Sequence, residues 1–200
     1  MGNNIVTARL TIKGNRTLLT NRFSSAAIPL ERRNRSGVAG NNPMEWKQTA
    51  LLTPKRQFYL PGTYIFSCLR EAAIFTTGKQ RTQREVAATL QVKESVILIE
   101  NRFLPEEPFY IEQQEVRVRP EAFIDVAVVR NPKSGARNVR YRAATSPGWQ
   151  CSFHLMWDQT VIPQPLLESI CLDAGALVGL ADGRNLGYGR FDVQKFEVIQ

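Results

Sequence analysis

Residues 55–75, KRQFYLPGTYIFSCLREAAIF, contain the change of period on which the fold turns. Phe58 and Leu60 close an extended piece, and Pro61-Gly62 then turns the chain. Beyond the turn Tyr64, Ile65, Cys68, Leu69, Ala72 and Ala73 recur at helical spacing, which predicts a helix from Thr63 to Phe75. A helix with one apolar stripe has to bury it against another layer of structure.

The flanking sequence supplies that layer as strands. Upstream, residues 5–13, IVTARLTIK, alternate apolar with polar and are rich in β-branched side chains, as a half-buried strand should be. Downstream, SVILIE, FYIEQQEVRVRP, FIDVAVVR, NVRYRAA and WQCSFHLMW repeat the two-residue period, separated by PEEP, PEA, NPKSGAR and TSPG. After Pro163 and Pro165 the helical period returns at Leu166, Leu167, Ile170, Leu172, Ala174, Leu177 and Val178, ending near Gly179. A last strand alternates Phe191, Val193, Phe196 and Val198 with polar residues, with one step out of phase near Lys195.

This order predicts an α+β protein with a ferredoxin-like βαββαβ core. In that split βαβ arrangement two helices cover one face of an antiparallel sheet and leave the other free to bind. At 200 residues and 43% apolar content one domain, 1–200, is expected. It would carry two insertions: a basic loop over 14–54, without periodicity, and a β-hairpin within 108–148. Lys79 to Arg84 read as a polar link that continues the first helix briefly as a basic turn.

The formal net charge of +8 is unevenly spread. Residues 1–100 carry 15 Lys/Arg against 6 Asp/Glu, and residues 101–200 carry 11 against 12. A partner with clustered negative charge fits that distribution, because a basic surface that neutralises phosphates releases counterions. The start, MGNNIVTARL, lacks the features of a secretory signal, and no stretch reaches the ~18 apolar residues that span a bilayer, so a cytoplasmic protein without a membrane partner is expected. Cys68, Cys151 and Cys171 are odd in number, far apart and set among apolar neighbours, which predicts buried thiols rather than disulfides or a zinc site. No cofactor and no metal is expected.

The segment Gly183-Arg184-Asn185-Leu186-Gly187-Tyr188-Gly189-Arg190 is the most informative for function. Its three glycines would let the main chain approach a phosphate, with Arg184 and Arg190 alongside. It lies between a helix and a strand, the reverse of the order in nucleotide-binding glycine loops. Tyr188, Phe191, Trp46, Tyr64 and Trp149 are candidates for base stacking or for the core, with Tyr188 favoured for stacking because glycines flank it. His154, the one histidine, lies within an alternating strand, and Asp125, Asp158, Asp173, Asp182 and Asp192 are scattered, so the residues argue against an enzyme.

Three segments resemble a known superfamily. LPGTYIFSCLREA, GLADGRNLGYGRFDV and the opening ARLTIKGNRTLLTNR are similar to the first helix start, the glycine-rich loop and the first strand of the repeat-associated mysterious proteins that build CRISPR effector complexes. Thr63-Tyr64-Ile65-Phe66 departs from the small-residue pattern at the helix start, and the chain is short for a backbone subunit, which suits a compact phage or mobile-element relative. The resemblance implies an RRM-like fold that stacks as a homo-oligomer along single-stranded RNA, or single-stranded DNA, beside other effector subunits. An inserted hairpin would act as a thumb, here 131–142 or the 14–54 excursion.

The expected nucleic-acid contacts are Arg32, Arg33, Arg35, Arg70, Lys79, Arg81, Arg84, Lys133, Arg137, Arg140, Gly183, Arg184, Gly187, Tyr188, Gly189 and Arg190. Two alternatives stand beside strand coating: a metal-independent endoribonuclease using His154 or Tyr188, and a phage structural or assembly protein.

Overall fold

The computed structural model describes residues 4–22, 41–116, 118–130, 135 and 137–199. Arg32, Arg33, Arg35 and Lys133, together with the rest of 131–134 and residue 136, lie outside the described residues.

A four-stranded antiparallel sheet forms the centre. Its members are β1 (Ile5–Gly14), β4 (Gln91–Val92), β9 (Gln150–Asp158) and β10 (Phe191–Val198), in the spatial order β10-β1-β9-β4. β1 and β9 obey their two-residue period. Val6, Ala8, Leu10 and Ile12 are buried with Cys151, Phe153, Leu155 and Trp157, while Arg9 and Lys13 stand exposed on the other face. The out-of-phase step near Lys195 is a bulge: Thr11 faces Lys195 and Ile12 faces Val193, so Gln194 is the extra residue.

Helices close the apolar face. α2 (Gly62–Thr77) contributes Ile65, Cys68, Leu69, Ala72 and Ala73, and α4 (Gln164–Asp173) contributes Leu167, Ile170 and Cys171, to one continuous core with β1 and β9. α2 stops at Gly78, whose left-handed φ of 68° ends the helix in a conformation glycine adopts without strain. The polar stretch after it is a full helix, α3 (Gln80–Thr89), rather than a brief turn, because Thr82 and Val86, one turn apart, are buried. α4 continues into one π-helical turn over Ala174–Val178.

The 14–54 excursion is not a simple loop. It holds β2 (Leu18–Thr20), buried throughout, and the short α1 (Trp46–Thr49), whose Trp46 enters the core. Single anchors of this kind leave no periodic trace in the sequence.

The middle strands build a second sheet. β6 (Tyr110–Glu112), β7 (Ala122–Arg130) and β8 (Arg137–Thr145) assemble with β2 in the order β2-β8-β7-β6. β7 and β8 pair antiparallel along their length, β6 runs parallel to β7, and the strand expected over 109–120 shrinks to three residues. A further ribbon pairs β3 (Gln57–Pro61) with β5 (Val96–Phe103).

Candidate nucleic-acid interface

The end of β1 and the glycine-rich segment meet at one place. Asn15 and Arg16 both donate backbone N–H groups to the Arg190 carbonyl, at 3.0 and 3.3 Å, and Gly189 donates to the Thr17 carbonyl at 2.8 Å. The Trp149 indole donates to the Arg16 carbonyl at 2.8 Å from the opposite side. With its main chain clamped twice, residues 14–17 present the exposed Arg16 side chain outward.

A trench runs past that side chain. One lobe of about 500 Å³ is lined by Asn15, Arg16, Gly175, Ala176, Gly187 and Arg190. The other, about 430 Å³, shares Asn15, Arg16 and Gly187 and adds Thr17, Arg119, Pro147, Leu186 and Tyr188. Arg16 thus lines both lobes, with Arg190 on the first and Arg119 on the second. Arg190 Nη1 is buried and has no hydrogen-bond partner among the described residues. Arg119 is steadied by the Gln113 carbonyl at 3.2 Å and by stacking 5.7 Å from the Phe123 ring centre. Asp192 accepts from the Asn15 amide at 3.0 Å. Pro147, Leu186 and part of Tyr188 form an apolar wall on which flat groups can lie.

The glycines act differently from the sequence expectation. The N–H groups of Gly187 and Gly189 are already spent on the Arg184 and Thr17 carbonyls, so they are not free to cradle a phosphate. At Gly189, φ is 68° and an added Cβ would lie 2.0 Å from the Leu180 carbonyl oxygen. This glycine exists to let two backbone segments touch. Tyr188 also departs from its expected freedom. Its ring is half-buried on the small cluster of Leu19, Ile111, Phe123 and Ala144, and burial, with the Asp125 charge, pushes its hydroxyl pKa up and keeps it neutral.

The other expected contacts divide by their partners. Arg184 is ion-paired with Glu71 at 2.8 Å, Arg81 with Glu85 at 2.7 Å and Arg140 with Glu45 at 2.7 Å. Arg70, Lys79 and Arg84 are exposed on or beside α2 and α3, and Arg137 is exposed at the start of β8, all outside the trench lining. Trp46, Trp149 and Phe191 are core, and Tyr64 packs against it. Arg16 and Arg119 are the residues that the reading of sites by segment passed over. Arg16 directly follows the first strand, and Arg119 sits in EVRVRP, which reads as a strand but leaves the sheet after Glu112.

Two charged groups outside the trench complete the picture. Arg142, inside the second sheet, bonds Asp125 at 2.8 Å and Asp182 at 3.0 Å, tying the hairpin to the glycine-rich segment. On the open face of the central sheet, Glu94 grips His154 twice, accepting from its backbone N–H at 2.8 Å and bonding ring Nδ1 at 2.5 Å. Burial pushes the Glu94 carboxyl upward, but these bonds outweigh it and hold the pKa below the usual carboxylate value. Among the described residues no group of three His, Cys, Asp or Glu side chains is placed to hold a metal ion, and no helix is long and apolar enough to cross a membrane.

The fold and the trench together define an α+β protein with an arginine-lined groove between its central sheet and its second sheet. No family model matches the chain and no curated protein matches it by sequence. Among solved structures it is similar to a chain in the cryo-electron-microscopy structure of the Type III-B Cmr-beta bound to cognate target RNA. The TM-score is 0.57 at 13% identity, over 98% of this chain and 61% of that one. The likeness is one of fold, and this chain spans about three-fifths of its neighbour's length.

Proposed function

We propose that this protein is an RNA-binding subunit of a CRISPR effector-like ribonucleoprotein, and that a single strand runs along the trench. Arg16, Arg119 and Arg190 would hold its phosphates, and the Tyr188–Leu186–Pro147 wall would accept bases. The observation that carries this reading is the placement of Arg16, Arg119 and Arg190 on two cavities that share Asn15, Arg16 and Gly187. The strand order β10-β1-β9-β4, with helices between β1 and β4 and between β9 and β10, supports a ferredoxin-like core. The resemblance in the first helix, glycine-rich segment and first strand, and the shared fold with a chain of an RNA-bound effector complex, support the repeat-associated family. In this reading the β7–β8 hairpin is the thumb, and copies stack along the strand as a helical homo-oligomer beside other effector subunits.

The test is the absorbance ratio and particle size of protein purified in low salt, before and after separate RNase and DNase treatment, repeated with R16A/R190A. The expected result is large RNA-containing particles that RNase collapses, with the double variant binding at least ~10-fold more weakly and showing a shallower salt dependence. A clean protein spectrum and an unchanged particle would overturn the proposal and favour an assembly role.

The Glu94–His154 pair favours one second reading, a metal-independent endoribonuclease, because a carboxylate on Nδ1 leaves Nε2 as a base. Cleavage of hairpin RNA in chelator, lost in His154→Ala, is the result that would establish it.

A further inference from the structure

Asn15 lines both lobes of the trench, and its chemistry differs from that of the arginines around it. Its side-chain Nδ2 donates to Asp192 Oδ1 at 3.0 Å, and its backbone N–H donates to the Arg190 carbonyl at 3.0 Å. Asp192 sits in β10 opposite Lys13 of β1, so the carboxylate is carried on a paired strand rather than on a loop. A carboxylate only accepts, which settles the end of the amide that faces it: nitrogen toward Asp192, oxygen away from it. Asp192 lines neither lobe, so Nδ2 is drawn out of the trench and Oδ1 is the end that Asn15 has left to offer.

The two lobes suit different parts of a strand. The first, about 500 Å³, is lined by Asn15, Arg16 and Arg190 and otherwise by Gly175, Ala176 and Gly187, so it holds no large apolar side chain on which a base could lie. The wall of Pro147, Leu186 and Tyr188 belongs to the second lobe. Sugar and phosphate therefore fit the first lobe and bases the second. Arginines answer phosphate oxygens, but an amide oxygen does not, because both are acceptors. It calls for a donor. Within an internal sugar–phosphate unit the ribose 2′-hydroxyl is the single hydrogen-bond donor, and deoxyribose has none.

We propose that Asn15 Oδ1 accepts a hydrogen bond from a ribose 2′-hydroxyl in the first lobe, with Asp192 as the positioning residue that fixes the amide, and that this pair makes the trench prefer RNA to DNA. The inference rests on the strand-binding reading of the trench and goes beyond it, since arginine contacts to phosphate are the same for either nucleic acid. The Asp192 carboxylate has a second effect, because its charge discourages a phosphate from taking the place beside Asn15.

The test is fluorescence anisotropy of the full chain with three labelled strands of equal length: oligouridylate, its 2′-deoxy form and its 2′-fluoro form. The fluoro sugar keeps the ribose pucker but cannot donate, so it separates the hydrogen bond from strand shape. The ribose strand is expected to bind about 5-fold more tightly than either of the others, the worth of one hydrogen bond. Asn15→Ala, a change at an exposed position, should bring that ratio to about one, and Asp192→Ala should lower it as well. Unchanged melting temperatures would show that both variants fold. Equal affinities for the three strands in the native protein, or the native ratio kept in either variant, would overturn the proposal and leave the trench as a strand-binding site. Failure of all three strands to bind would instead overturn the reading of the trench itself, and this inference with it.

Discussion

Arg142 shows how much can rest on one side chain. It is 7% exposed and pairs with Asp125, itself fully buried, so truncation would strand an acid inside the second sheet. Arg142→Ala should therefore destabilise the protein by about 3 kcal/mol in urea titrations, while Asp182→Ala, which removes the more exposed partner, should cost clearly less. The Glu94–His154 pair gives a pH effect of definite sign. A carboxyl whose folded pKa is depressed contributes stability that is present above its ordinary value and lost as pH falls through the folded one. The acid limb of the stability curve should be shallower in Glu94→Gln, and identical limbs would remove the pair from the account. The thiols make a third case. Burial pushes Cys68 and Cys151 up to about 12 and Cys171 upward as well. At pH 8 all three should alkylate at least ~100-fold more slowly than a free thiol, until denaturant is added.

At the scale of elements, the glycine-rich segment is a joint before it is a contact surface. Gly189 touches the Leu180 backbone, whereas a Cβ on Gly187 would meet nothing within 4 Å, although φ there is 83°. Gly187→Ala should cost about 1 kcal/mol from backbone strain alone, while Gly189→Ala, which also drives Cβ into a carbonyl, should cost several times more. Comparison of the two melting temperatures checks this, and equal losses would mean that the contact with Leu180 is not what requires glycine. α3 carries a related lesson. Its sequence is too polar to advertise a helix, yet Thr82 and Val86 are buried where α3 packs beside α2.

For the whole molecule, the trench exists because two sheets and one turn converge. Arg16 comes from the end of the central sheet, Arg119 from the segment after β6, and Arg190 from the lead into β10. R16A/R190A should lower the salt slope of RNA binding by ~1–2, since each phosphate contact on a single strand contributes ~0.7. R184A should change it little, because Glu71 already neutralises that charge. The sequence by itself determined the α+β class, the central strands, both main helices and the buried thiols. Each of these is written in local periods of two and 3.6 residues, or in the burial of apolar side chains. Arg190, Gly187 and Tyr188, which it also singled out, line the trench. Only the tertiary structure decided which arginines are available, because an ion pair such as Arg184–Glu71 joins positions 113 residues apart and has no local signature. The same holds for the trench, since it is a space enclosed by distant segments, and a space has no period in the chain.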